Sequence, residues 1–107
     1  MSLDQTFEAL SDPTRRGVVA LLRARPRRAG ELADELGMTP PAMSRHLRVL
    51  RTCGLVDLEL DEDDARAKIF RLRREAFAEL RVWLDDVEQF WTLQLDAFKK
   101  HAERKKR

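Results

Sequence analysis

Residues 29–56, "AGELADELGMTPPAMSRHLRVLRTCGLV", hold two short helical patterns separated by a glycine-led step. Ala29 to Leu36 sets Leu32, Ala33 and Leu36 on one face, and Gly37 suits the left-handed position that closes a helix. Thr39 is an N-cap residue, and Pro40 and Pro41 follow it in the first turn, where a missing N–H costs nothing. Met43, Leu47 and Leu50 then repeat at i, i+4 and i+7, which predicts a helix over about 40–53 buried along one side. Two such helices joined by "GMT" have the pattern of a helix-turn-helix.

The buried stripe decides what the other faces of the second helix carry. Ala42, Ser44, Arg45, His46, Arg48 and Arg51 are left outside it, with no carboxylate among them. A helix that enters the major groove of DNA needs small residues near its start, arginine for guanine edges, and serine or histidine for phosphates and base edges. The proline start also leaves the positive end of the helix dipole free for phosphate oxygens. A solvated basic face has the same composition, so the order of the surrounding elements decides between the two.

Downstream of Gly54, "LVDLEL" (55–60) and "AKIFRL" (67–72) each alternate apolar with polar residues around "DEDDAR" (61–66), the pattern of a two-stranded hairpin. A hairpin directly after a helix-turn-helix is a wing, here over 56–72. Upstream, Leu3, Phe7 and Leu10 recur at helical spacing. "SDPTRR" follows, with Asp12 as N-cap and Pro13 at the first position of a second helix. That helix turns Val18, Leu21 and Leu22 inward and stops near Pro26.

From Arg74 to about Lys100 the pattern is helical again, with Phe77, Leu80, Trp83, Leu84, Val87, Phe90, Trp91, Leu95 and Phe98 on a broad apolar face. That face exceeds what so small a core can cover, and an exposed patch of that size marks an interface. Together with Leu3, Phe7 and Leu10 it is expected to form a two-fold homodimer contact. Trp83 and Trp91 at this spacing are read as packing residues in preference to a ligand pocket.

The chain of 107 residues has room for one domain with one modest core. The expected architecture is mainly α with a small β-hairpin: a winged helix-turn-helix of about five helices plus a two-stranded wing, dimerising through the first and last helices. It spans 1–107 as a single domain, with the dimerisation helix over about 74–100 and a basic tail over 99–107.

Charge is distributed unevenly. The total of 21 basic against 19 acidic residues leaves only +2, yet residues 1–55 hold nine bases against six acids, and "KKHAERKKR" (99–107) holds six against one. The acidic "DLELDEDD" (57–64) masks both in the sum. A single cysteine, Cys53, excludes an internal disulfide, and no leader or long apolar run points to export or a membrane, so a cytoplasmic protein is expected.

Three stretches carry a family resemblance: "FEALSDPTRRGVVALL" (7–22), residues 29–56 and "ARAKIFRL" (65–72). In order and spacing they resemble the ArsR/SmtB family of small winged-helix transcriptional repressors, over most of the chain. The resemblance implies double-stranded DNA as partner and a homodimer that represses transcription, often of its own operon, at an inverted repeat. It implies DNA contacts by Ser44, Arg45 and His46 with Thr39, Pro41, Ala42, Arg48 and Arg51 on the same helix. It adds Arg66 and Lys68 on the wing, and Arg15 and Arg16 against the backbone. The family's metal sites find no match. The positions of one cysteine pair are Arg28, Ala29 and Gly30 here, and 85–98 lacks the histidines of the other. One cysteine and two histidines are too few for a thiophilic metal, so the resemblance is to the metal-independent branch, with no cofactor and an unnamed effector.

Other readings are weaker on the residues. Cys53 is small core filler beside Leu50 and Leu55. "DEDD" lacks the glycine and ligand spacing of a calcium loop and reads as a solvated turn. His46 has no nucleophile or acid at fixed spacing, and no cofactor loop is present, so an enzyme is not expected. A winged-helix module that binds protein without DNA is the alternative function.

Overall fold

A computed structural model describes residues 2–64 and 66–105. Ala65 in the wing turn, and Lys106 and Arg107 at the end of the basic tail, lie outside the described residues, as does Met1. The elements in chain order are α1 (Leu3–Leu10), α2 (Pro13–Ala24), β1 (Arg27–Arg28), α3 (Ala29–Glu35), α4 (Pro40–Thr52), β2 (Val56–Leu60), β3 (Lys68–Leu72) and α5 (Arg74–Lys105).

Three of the helices, α1, α2 and α4, start on a side chain that accepts from their first N–H groups. Ser2 and Gln5 form a reciprocal capping box at α1. Asp12 Oδ1 accepts from the N–H of Thr14 at 2.8 Å and of Arg15 at 3.1 Å, ahead of Pro13 at α2. Thr39 Oγ1 accepts from Ala42 N–H at 3.4 Å, ahead of the prolines of α4.

Both helices of the helix-turn-helix end in the same way. Gly37 follows α3 at φ 62° and Gly54 follows α4 at φ 76°, a backbone region where a side chain is strained. The N–H of Met38 reaches back to Ala33 C=O at 2.9 Å, and that of Leu55 to Leu50 C=O at 2.9 Å, so each end is a Schellman motif. These two glycines turn the chain from α3 into α4 and from α4 into the wing.

The core joins residues from most of the elements, three of them from α4: Ala9, Val18, Leu22, Leu32, Met43, Leu47, Leu50, Leu55 and Phe70 are all buried. The expected stripe of α4 is the centre of it, since Met43 and Leu50 are fully buried. Burial of each such side chain contributes about 1.5–3 kcal/mol. From α1 the buried residues are Thr6 and Ala9, while Leu10 is only half-buried and Phe7 is exposed. Thr6 is tolerated there because its hydroxyl donates to Ser2 C=O at 3.2 Å.

The sheet has one strand more than the expected hairpin. β2 and β3 pair antiparallel with Leu58 opposite Phe70, as the alternation requires, and the two-residue β1 adds to the other edge of β3, Arg27 opposite Phe70. The order is β1-β3-β2, so the wing strand β3 is held on both sides. Helix α5 also runs further than expected, to Lys105, and takes in most of the basic tail.

By packing the chain divides into two units, residues up to Phe77 and residues from Ala78 onward. The first contains α1 to β3 and the start of α5. In the second no described side chain is fully buried, and Phe90, Trp91, Leu95 and Phe98 are 59–73% exposed. No helix among the described residues is long and apolar enough to cross a membrane.

Candidate nucleic-acid interface

With Met43, Leu47 and Leu50 buried, α4 presents Pro41, Ser44, Arg45, Arg48 and Arg51 to solvent, with Thr39 exposed just before them. Ala42 and His46 are half-buried at the margin. The helix contains no acid, and among the described residues no carboxylate pairs with Arg45, Arg48, Arg51, Arg66 or Lys68. Other arginines are paired: Arg25 with Glu31 at 2.9 Å, Arg28 with Asp61 at 2.6 Å, and Arg73 with Asp57 at 3.6 Å. Among the described residues the cations of α4 and Lys68 of β3 are thus left without carboxylate partners, with no acid on α4 to oppose them.

Ser44, Arg48 and Arg51 of α4 meet Lys68 of β3 around a cleft of about 250 Å³ floored by Leu47, Leu58 and Phe70. The fold itself makes this arrangement. Leu47 and Phe70 are buried, which brings the outward neighbours on α4 and β3 to the same side. Three cations and a hydroxyl around an apolar floor offer donors to a phosphate and repel none of its charge.

His46 is positioned from α2. Arg15 Nη1 lies 3.5 Å from His46 Nδ1, which sets the guanidinium against the ring. The same guanidinium donates through Nε to Ala9 C=O at 2.6 Å and through Nη2 to Glu8 C=O at 3.3 Å. Arg16 Nη1 likewise donates to Leu10 C=O at 2.8 Å. Both arginines expected at the DNA backbone therefore close the carbonyl end of α1, and Arg15 also links that end to α4. Arg16 does not line the α4–β3 cleft, and neither does Arg66, which is exposed in the wing turn with its N–H on Asp64 Oδ1 at 3.1 Å.

The acidic wing tip has a structural use. Asp61 accepts from Asp63 N–H at 3.0 Å as well as from Arg28, and Asp64 caps Arg66. The hydrogen bond from Arg28, then that of Asp63, holds the Asp61 carboxyl below its ordinary value. Sequence reasoning missed this tie, because Arg28 and Asp61 are 33 residues apart and meet only through the β1–β3 pairing. In the sequence, residues 25–28, "RPRR", show only where α2 stops, near Pro26.

Cys53 is half-buried at the end of α4, in a cavity lined also by Ala9, Arg15, Arg48 and Val49. Among the described residues, no three His, Cys, Asp or Glu side chains gather as a metal site. No catalytic residue was expected from the sequence.

Comparison with known proteins bears on this surface directly. The profile described as "Bacterial regulatory protein, arsR family" matches residues 12–57, from the N-cap of α2 to the first wing strand. The chain is 37% identical to the HTH-type transcriptional regulator Rv2034 of Mycobacterium tuberculosis over 97 residues, 91% of this chain and 85% of that protein. It is 33% identical to the transcriptional repressor SdpR of Bacillus subtilis over 54 residues, 50% of this chain and 60% of that one. Its fold aligns with the ArsR-like transcriptional regulator from Rhodococcus sp. RHA1 at a TM-score of 0.76 and 30% identity, over 94% of this chain and 90% of that one. The acid-free face of α4 lies within the matched stretch 12–57, and the protein belongs to the ArsR family of bacterial regulatory proteins, as a DNA-binding transcriptional regulator and not an enzyme.

Proposed function

We propose that the protein is a cytoplasmic, homodimeric repressor that binds an inverted-repeat operator, including one at its own gene, and does so without a regulatory metal. The observation that carries the DNA-reading part is the acid-free exposed face of α4 with four unpaired cations in reach of it, Arg45, Arg48, Arg51 and Lys68. Ser44, Arg45 and His46 enter the major groove with Thr39, Pro41 and Ala42 close to its backbone, Arg48, Arg51 and Lys68 hold phosphates, and Arg66 extends the grip along the wing. Arg15 and Arg16 act by holding α1 and His46, with donors left over for phosphate.

Repression is supported by the name of the Bacillus relative. Dimerisation is supported by the exposed Phe90, Trp91, Leu95 and Phe98 of α5, which water would otherwise wet. Leu3, Phe7, Leu10, Trp83, Leu84 and Val87 complete the proposed contact. Metal independence is supported by ligand supply: one cysteine and two histidines, with His46 held by Arg15.

Binding of the protein to the DNA upstream of its own gene, against random duplex, tests the reading. A salt-sensitive affinity much higher for the upstream DNA is expected, unchanged by zinc, cadmium, arsenite or EDTA. Equal affinity for both duplexes refutes operator reading, and release by one of these metals refutes the metal-independent part. Salt-insensitive binding to a protein partner alone would favour the interaction-module alternative.

A further inference from the structure

A second cavity, of about 550 Å³, opens on another side of the first unit, between α2, the end of β3 and the start of α5. Val19, Leu72 and Phe77 line it and are half-buried, so its floor is apolar; Leu10, also half-buried, lines it too and is shared with the proposed dimer contact. Arg16, Arg23 and Arg74 also line it and are exposed, so its mouth is cationic. No acid lines the cavity. Among the described residues Arg23 and Arg74 have no carboxylate partner, and Arg16 is tied through one nitrogen to Leu10 C=O, which keeps its remaining donors at the mouth.

Arg74 is the first residue of α5, with Glu75 next to it in the same turn, and its exposed guanidinium stands at the cavity mouth. The volume falls within the range of small-molecule sites, roughly 300–1,000 Å³, in which an apolar lining supplies affinity and a few polar groups supply orientation. We infer that this cavity binds an amphipathic organic monocarboxylate, its apolar body on Val19, Leu72 and Phe77 and its carboxylate between Arg23 and Arg74. Guanidinium groups suit this role, because a carboxylate can take two parallel N–H donors from one of them.

Such a ligand would touch the two elements that bear on the DNA surface. α2 carries Arg15, which holds His46, and β3 carries Lys68. Occupancy therefore shifts operator affinity. This last clause rests on the DNA-binding reading, whereas binding itself does not.

Titration calorimetry of the free protein with decanoate, below its micelle concentration, tests the site, with decanol as the uncharged control. Saturable binding at one site per chain is expected, at least tenfold tighter for decanoate than for decanol. The double variant Arg23→Gln/Arg74→Gln should weaken decanoate about tenfold or more, since it removes charge-assisted hydrogen bonds. Ala20→Trp, which fills the cavity from α2, should abolish binding. Absence of saturable heat, equal binding of decanol, or indifference to the glutamine pair would overturn the inference. So would decanoate binding only as the sedimenting species falls to monomer, since a second copy would then be the occupant. Should Ala20→Trp fail to show a wild-type melting curve, the glutamine pair decides alone. In gel shifts, decanoate should change operator affinity of the wild type and not of Ala20→Trp; no change would overturn the effector role, whereas a wild type that never binds the operator refutes the DNA reading instead.

Discussion

Arg45 and Lys68 are both unpaired cations, but their settings differ. Arg45 is exposed near the start of α4, on the part of a recognition helix that meets base edges, whereas Lys68 lies in the cleft with Ser44, Arg48 and Arg51, a phosphate setting. Arg45→Ala should cost about 1–3 kcal/mol of operator binding and relax the preference at one base pair per half-site. Lys68→Ala should instead weaken every sequence alike and flatten the salt dependence by about one unit per site. Equal losses from Arg45→Ala on operator and random DNA would mean that α4 positions the protein without reading sequence. A separate prediction concerns Asp12, whose carboxyl is held below its ordinary 3.8, first by the N–H of Arg15, then by that of Thr14 and by the fields of His46 and Arg15. A carboxylate lowered in the folded state adds stability above its unfolded value and loses it as pH falls through the folded one. Thermal melting should therefore show stability falling below about pH 4, and less steeply in Asp12→Asn, which keeps an acceptor at the cap without its charge. Superimposable acid profiles would show that the charge of this cap contributes nothing. Asp12 could be assigned as a cap from sequence alone, because Pro13 follows it; the grip of Arg15 on Glu8 and Ala9 could not, because it spans a turn with no periodic signal.

At the scale of elements, what was legible depended on punctuation. The borders of α3 and α4 were written in Gly37, Thr39, Pro40 and Gly54, residues with one dominant local use, and the stripe Met43-Leu47-Leu50 fixed which side is buried. β1 was not legible, since two residues carry no alternation and its pairing depends on β3, some forty positions later. The end of α5 was misjudged for a related reason: "KKHAERK" has no apolar period, but neither has it a glycine or proline to stop a helix already under way. If the helix-turn-helix geometry depends on its glycine turn, Gly37→Ala should destabilise the protein by about 1–2 kcal/mol, because alanine resists the left-handed backbone. The cost is conformational and not steric, as nothing lies within 4 Å of where the new Cβ would sit. Gly37→Asn should be milder, and urea unfolding distinguishes the three. An alanine variant as stable as the wild type would show that the turn relaxes to another conformation.

At the scale of the whole molecule, the proposed dimer would make α5 the link between assembly and operator reading. Phe90 and Trp91 meet edge to face with centroids 6.3 Å apart, and both remain about 60% exposed. Aromatic side chains left in water over several turns represent apolar area that the proposed dimer would remove, and a closed two-fold pairing is the commonest form of such association. A two-fold axis would also set the spacing of the two α4 helices. Consecutive major grooves on one face of B-DNA are about 34 Å apart, so a dimer that presents both helices together selects an inverted repeat with half-sites at that spacing. Replacing Trp91 with glutamate places a charge in the proposed contact, where desolvation without a partner is costly. Sedimentation of Trp91→Glu should therefore show monomers where the wild type shows dimers, with unchanged far-ultraviolet circular dichroism from the first unit. Operator affinity should fall steeply, because each monomer reads one half-site and the second no longer binds as part of the same body. Insertion of five base pairs between half-sites should harm the wild type as much as the mutation does, since it rotates one half-site to the opposite face of the duplex. A Trp91→Glu protein that remains dimeric would move the interface off this part of α5, and a wild type indifferent to the insertion would separate dimerisation from operator reading.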